Sequence, residues 1–400
     1  MPKRILVLAD GTGNEGGLLP DESRTNVYKL YRATRNDPES TIDPARQIAF
    51  YVAGIGTPIV GHTGTWRTIR ETADKMLGGG ITGKIIDCYL AVVSSWRPGD
   101  SVYLFGFSRG AYTARCVAHL LEIVGIPTRQ AGGEALSFAP TDLRRIAKEA
   151  AAILFRFGLE LPPSDERAAT ADAFRRRYGC ETGRGVVPYF IGVWDTVAAI
   201  GIERFVKAGY DRHLPRDVMF VRHAMAIDEY RKDFARVPWG RTIRLRQPGE
   251  PEPFEQVWFA GDHSDIGGSY PEQESRLSDI SLKWMADFIA EGLPVEGRIQ
   301  IDDRFLHLHP SADGMMHDEL MVGMGGTPLR WYPADRDVPV DADLHASVYE
   351  RLALSEVRNF TSYGKYRPAT LRNHARASGF FDERQDGPTA SLAVAPSGQP

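Results

Sequence analysis

Gly106-Phe107-Ser108-Arg109-Gly110 sets a serine hydroxyl between two glycines, the spacing of the turn that presents a serine nucleophile. The pentapeptide is a weak signal in a chain with 40 glycines among 400 residues, so its flanks have to carry the reading. Val102-Tyr103-Leu104-Phe105 is β-branched, aromatic and apolar, and it follows the turn Pro98-Gly99-Asp100. Ala111 to Leu121 holds neither proline nor glycine and carries apolar residues at helical spacing. Ser108 therefore falls where a strand reverses into a helix. The Arg109 amide opens that helix, where an N–H and the helix dipole stabilise a developing oxyanion. The competing reading is a structural turn with a surface serine.

A serine alcohol needs a base, and the base an orienting acid. In α/β-hydrolases these follow the nucleophile in the order acid, then histidine. "VPYFIGVWDTVAAIG" reads as a buried strand ending at Asp195, and "EQVWFAGDHSDIGGSY" as a strand followed by Asp262, His263, Ser264 and Asp265. In a parallel sheet the loops after the strands share one rim, so Ser108, Asp195 and His263 are expected to meet there. Asp195 could instead cap a following helix. Asp262 and Asp265 compete as acids but stand very close in sequence to His263. His345, in "DADLHASVYERL", is the rival base because hydrolase histidines often come late in the chain.

The elements that would hold these groups are legible as a rhythm. Strand-length apolar runs occur at Ile5–Ala9, Ile48–Val52, Ser101–Phe107, Pro188–Trp194 and Gln256–Ala260. Helical periodicity fills Asn26–Ala33, Gly83–Trp96, Ala111–Val124 and Asp279–Glu291. Strands alternating with helices predict the α/β class, a mostly parallel central sheet flanked by helices. The charged, Ala-rich stretch 137–180 interrupts the rhythm and reads as a helical cap or insertion. Its Phe138, Leu154, Phe155, Phe157 and Leu159 are candidates for an apolar cap that selects acyl chains. One domain is expected over 1–376. From 377 to 400 the chain is rich in Gly, Pro, Ser and Ala and reads as a disordered tail.

Composition excludes several classes. A formal net charge of −4 gives no global reason to expect nucleic acid. No apolar run is long enough to span a bilayer, and the N-terminal run is too short for a signal peptide. The cytoplasm is the default expectation, although a protein exported without a cleaved signal would look the same. Cys88, Cys116 and Cys180 are too few and too scattered for a disulfide framework or a cysteine-rich zinc site. Neither a metal nor a cofactor is called for, and the oligomeric state is not encoded legibly.

Several long motifs occur in a fixed order: "ILVLADGTGN" (5–14), "YVAGIGT" (51–57), "GITGKIIDCYLAVVSSWRPGDSVYLFGFSRGAYTAR" (80–115), "IGVWDTVAAIG" (191–201), "HAMAIDEYRKDF" (223–234), "VWFAGDHSDIGGSY" (257–270) and "LHASVYER" (344–351). Together they resemble the α/β-hydrolase domain of type VI secretion lipase effectors of the phospholipase type. The resemblance implies a Ser-Asp-His carboxylic ester hydrolase acting on an ester or lipid, with Ser108, Asp195 and His263 as the triad. A lipid substrate would bring transient contact with a membrane surface. One position departs from the family pattern: Asp262 stands before the histidine, where an apolar residue is common.

The "ADGTGN" loop offers a second oxyanion donor from an amide near Gly11 or Thr12, with Asp10 and Asn14 shaping the loop. Simple turn chemistry accounts for the same residues. "GGGITGK" at 78–84 fits a phosphate loop only formally, since Ile85 stands where Ser or Thr would hold magnesium. Two other readings stay open: a metal-dependent hydrolase or phosphoesterase built on Asp10, Asp195, Asp262 and Asp265, and a catalytically idle hydrolase fold that binds.

Overall fold

A computed structural model describes residues 2–11, 23–54, 66–157, 163–197, 213–234, 236–240, 246, 248–320 and 333–381, with the backbone alone over 66–79 and at 233. Six strands, β1 (Arg4–Ala9), β2 (Gln47–Val52), β3 (Ser101–Phe107), β4 (Phe190–Trp194), β5 (Phe220–Ala226) and β6 (Phe254–Phe259), form one sheet in the order β2-β1-β3-β4-β5-β6. Every pairing in it is parallel. The chain moves outward in one direction from β1 to β2 and in the other from β3 onward. The crevice at the carboxyl ends of β1 and β3 is therefore where such a sheet places its ligands.

Alternation along each strand builds two cores. Ile5, Val7 and Ala9, with Val102 and Leu104, face one layer; Leu6 and Leu8, with Tyr103, Phe105 and Phe107, face the other. The first layer is closed by α2 (Trp66–Ser95) and α3 (Arg109–Val124), the second by α1 (Asn26–Thr34) and α7 (Arg276–Asp287). A phenylalanine as fully buried as Phe105 contributes about 2–3 kcal/mol from its transfer out of water.

β5 has no counterpart among the predicted strands. Its Arg222 and His223 break the apolar run, yet both are buried. Arg222 donates to the carbonyls of Val221 and Glu252 and lies over the Phe288 ring at 3.5 Å. The 78–84 glycines fall inside α2 and not in a strand-to-helix loop.

The 137–180 stretch forms α4 (Pro140–Phe157) and α5 (Asp165–Tyr178). The suggested apolar cap is not what their side chains build. Leu154 is buried in the first core, and Phe155 and Phe157 pack against it. Phe138 lies under Arg97, in the turn that precedes β3. The wide apolar face of α4 buries more surface against α2 and α3 than over an open rim, and α5 adds Ala171, Phe174 and Tyr178 to the same core. Leu159 lies outside the described residues.

The C-terminal segment is a third packing unit. Trp258 N donates to Asp343 O at 2.8 Å and His345 N to Trp258 O at 2.9 Å, covering the outer edge of β6. α8 (Ala346–Ala353) and the β7–β8 hairpin (Val357–Asn359, Ser362–Gly364) follow. Ala377 is buried with this cluster and Phe380 and Phe381 pack on it; the rest of the stretch read as a tail, 382–400, lies outside the described residues. Among the described residues no helix is long and apolar enough to cross a membrane.

Candidate active site

Ser108 sits between β3 and α3 with φ 58° and ψ −124°, a conformation that L side chains avoid and that surrounding structure must hold. Its amide donates to Trp194 O at 3.1 Å, carrying the β3–β4 ladder one residue past the strand. Glycines make the reversal feasible. A Cβ on Gly110 would lie 2.1 Å from Ala9 O, and one on Gly106 would lie 2.4 Å from Gly110 O. The Ser108 hydroxyl does not cap α3.

Asp195 follows β4 and is also at positive φ, 34°. Its amide donates to Ala224 O at 2.8 Å, and its Oδ1 accepts from Ala226 N at 3.1 Å. Behind it, Thr196 N donates to His223 Nε2 at 3.3 Å, and His223 Nδ1 meets Gln256 Oε1 at 3.3 Å. Gln256 is itself held by Trp239 N and Trp239 O. The network assigns the Nδ1–H tautomer to His223. Burial, and then the Arg115 charge, push this histidine down to about 3, which keeps Nε2 an acceptor.

His263 is the first residue of α6 (His263–Gly267). Its Nδ1 lies 2.6 Å from Asp195 Oδ2. The ring packs against Phe107 at 4.6 Å and edge-on to Phe234 at 5.1 Å between centroids. Nε2 is buried and, among the described residues, makes no hydrogen bond. The Ser108 backbone is bonded to the residue before Asp195, and the neighbouring Phe107 touches the imidazole, so all three groups lie on one rim. The arrangement sets a carboxylate-bonded imidazole on the same rim as a hydroxyl held on a strained turn.

The other candidates sit elsewhere. Asp262 caps α6, its Oδ1 accepting from Ser264 N and Asp265 N at 2.9 and 2.8 Å, while Asp265 Oδ2 accepts from Asp262 N in return. This explains an acid before His263: its side chain turns into the helix start and away from the imidazole. Tyr270 OH lies 2.7 Å from both Asp262 Oδ2 and Glu319 Oε1. Burial, then the Asp265, Glu229 and Glu319 charges, push the Asp262 carboxyl well up. Asp265 binds His317 Nδ1 at 2.8 Å.

Asp10 accepts from Gly11 N at 2.7 Å and from Thr25 Oγ1 and Tyr51 OH at 2.6 Å each. The Gly11 amide suggested as an oxyanion donor is thus engaged by its own neighbour, an Asx-type bond favoured in a tight loop. Thr12 and Asn14 lie outside the described residues. His345 caps α8 through Ser347 N at 3.2 Å and stacks on Phe259 at 4.7 Å, and among the described residues it bonds to neither Ser108 nor Asp195. Asp10, Asp195, Asp262 and Asp265 are thus spent on separate donors, and among the described residues no three acids, histidines or cysteines converge as a metal site.

Two neighbours of the site were not among the candidates: Glu229, although it falls inside the 223–234 motif, and Arg336, which no motif contains. Glu229 Oε2 accepts from His263 N at 3.3 Å and is itself paired with Arg231 at 2.7 Å. Arg336 donates from Nη1 to Asp195 Oδ1 at 3.2 Å and from Nη2 to Asp195 Oδ2 at 2.9 Å. Burial alone would raise Asp195, but the Arg336 charge and the His263 hydrogen bond outweigh it and hold the carboxyl well below its usual range.

The model of the family described as "T6SS, Phospholipase effector Tle1-like, catalytic domain" matches residues 3–288. A Saccharomyces cerevisiae protein, "Uncharacterized protein YEL023C", is 29% identical over 247 residues, covering 58% of this chain and 32% of its own. Among solved structures, an uncharacterized protein from Pseudomonas aeruginosa aligns at 17% identity and a TM-score of 0.41, over 77% of this chain and 48% of the other. The Tle1 effector bound to the VgrG spike of the type VI secretion system aligns at 20% and 0.35, over 69% and 53%. The chain thus spans from about a third to half of the length of these relatives.

Proposed function

Because the chain belongs to the Tle1-like phospholipase effector catalytic-domain family of type VI secretion, a lipolytic family, we propose that it is a serine hydrolase cleaving carboxylic esters of lipids. The observation that carries this reading is the pairing of His263 Nδ1 with Asp195 at 2.6 Å, which leaves a buried Nε2, unbonded among the described residues, on the rim that bears Ser108. His263 Nε2 takes the Ser108 proton as Oγ attacks the ester carbonyl. Asp195 holds the imidazole tautomer and stabilises its charge. The tetrahedral oxyanion is received at the start of α3, by the Arg109 amide and the helix dipole. The alcohol leaves with the proton from His263. Water, activated by the same base, then releases the acyl group.

The test is active-site labelling followed by a substrate series. A fluorophosphonate probe is expected to label Ser108 in the folded wild-type chain and to spare the Ser108→Ala variant. Phospholipid vesicles and p-nitrophenyl esters of increasing acyl length then report the lipid preference. Labelling that persists in Ser108→Ala, or EDTA-sensitive hydrolysis without labelling, would overturn the reading.

A further inference from the structure

The Asp195 carboxylate is held by more than the imidazole. Arg336 is 6% exposed and Asp195 1%. Both terminal nitrogens of the guanidinium go to the two oxygens of Asp195, while its Nε is buried without a partner. Among the described residues, Asp195 is the sole hydrogen-bond acceptor of this side chain. A buried arginine is costly to keep, and this one makes no other polar contact. It comes from the loop that leads into the C-terminal unit, beyond the 3–288 span of the family match. That loop is tied to the site by Ala334 N to Tyr230 O at 2.7 Å and by Arg236 to Asp337 O at 2.6 Å.

We infer that Arg336 is a positioning residue that locks the Asp195 carboxylate in the plane of His263 and sets the electrostatic bias of the triad. The inference rests on the Ser108-Asp195-His263 reading. The planar fork of arginine fixes both oxygens at once, so Oδ2 is presented to Nδ1 in one orientation. The guanidinium charge also opposes a proton on the imidazole. The C-terminal unit thereby becomes part of the catalytic apparatus.

Other charges surround the His263 site as well. Asp262 and Asp265 lie on its own helix, Glu229 and Arg231 on the loop after β5, and Glu319 and His317 behind Tyr270. Arg236 lies beside Arg336 and Asp195. Of the cations in this set, Arg336 is the one hydrogen-bonded to the triad acid. Its removal must therefore be read against a fixed background of the others.

The test uses full-length wild type, Arg336→Met, Arg336→Lys and His263→Ala, with kcat and KM for a p-nitrophenyl ester measured across pH. Arg336→Met is expected to lower kcat by about 10²-fold through loss of orientation, with KM little changed. The acid limb of its kcat/KM profile should move up by about one pH unit, because a cation opposing protonation of the base is gone. Arg336→Lys keeps the charge but not the fork, so its acid limb stays within a few tenths of a unit of wild type while kcat still falls, by about tenfold. Should Arg336→Met fail to fold, the lysine variant carries the test: a reduced kcat with an unmoved limb supports the inference, and an unchanged kcat overturns it. An Arg336→Met profile that keeps the wild-type kcat and limb overturns it too. Substantial activity in His263→Ala would instead overturn the triad reading itself.

Discussion

Asp195 Oδ2 and His263 Nδ1 meet at 2.6 Å although the two residues stand 68 positions apart in the chain. The same oxygen receives Arg336 Nη2 at 2.9 Å. The three groups form a buried cation–anion–imidazole row, and their stability and their chemistry are therefore coupled.

Asp195→Asn is expected to leave the Arg336 charge buried and unpaired, costing about 3–5 kcal/mol of stability, and to lower kcat by about 10⁴-fold. In the double variant Asp195→Asn/Arg336→Met the charge is gone as well. Urea unfolding should then recover at least about half of the lost stability, with no recovery of activity. Additive losses in stability would contradict the pairing.

The two histidines should separate cleanly. His263→Ala is expected to abolish hydrolysis while the chain stays folded. His345→Ala removes a helix cap and an aromatic stack on Phe259, so it should cost about 1–2 kcal/mol and leave hydrolysis near wild type. Thermal unfolding and ester turnover on the same samples check both.

Strain at Ser108 predicts an opposition between stability and activity. Ser108→Gly relieves an L side chain held at φ 58°, and it should unfold about 1–2 kcal/mol later than wild type while being inactive. Gly110→Ala has the reverse logic. Its Cβ would meet the Ala9 carbonyl oxygen at 2.1 Å, and it should lose on the order of 3 kcal/mol because backbone blocks it. Chemical denaturation of the two variants decides the matter.

Acid stability should carry the signature of His223. Its folded value lies near 3, depressed by burial and by Arg115, below the ordinary value near 6.5. Its contribution is fully present above about pH 6.5 and lost as pH falls toward 3, by up to about 1.4 kcal/mol per pH unit. Asp10 and Asp228, each raised by burial to about 6, act with the opposite sign, since their contribution is lost as pH rises through 6. The test is therefore a difference: His223→Gln, which keeps an acceptor for Thr196 N, should show a flatter fall in stability than wild type between about pH 6.5 and 4.

Much of this protein is written locally. The strand of Val102–Phe105, the helix after Ser108 and the two glycines between them are nearest-neighbour information, and so is the alternation that sorts Ile5, Val7 and Ala9 from Leu6 and Leu8. These needed only periodicity and turn chemistry to be read. β5 was hidden because Arg222 and His223 imitate a surface, and only their buried partners show that they belong to a strand. The side chains of α4 and α5 were ambiguous for the same reason: an apolar helix face does not say which layer it will cover.

What the tertiary structure alone decided is where polar groups are spent. The Gly11 amide goes to Asp10, Asp262 to a helix start and to Tyr270, and His345 to capping α8. Arg336 crosses from the C-terminal unit to clamp Asp195. Sequence names the groups that can do chemistry, but a hydrogen bond has one donor and one place. Which acid reaches which base depends on long-range packing, and no local pattern contains it.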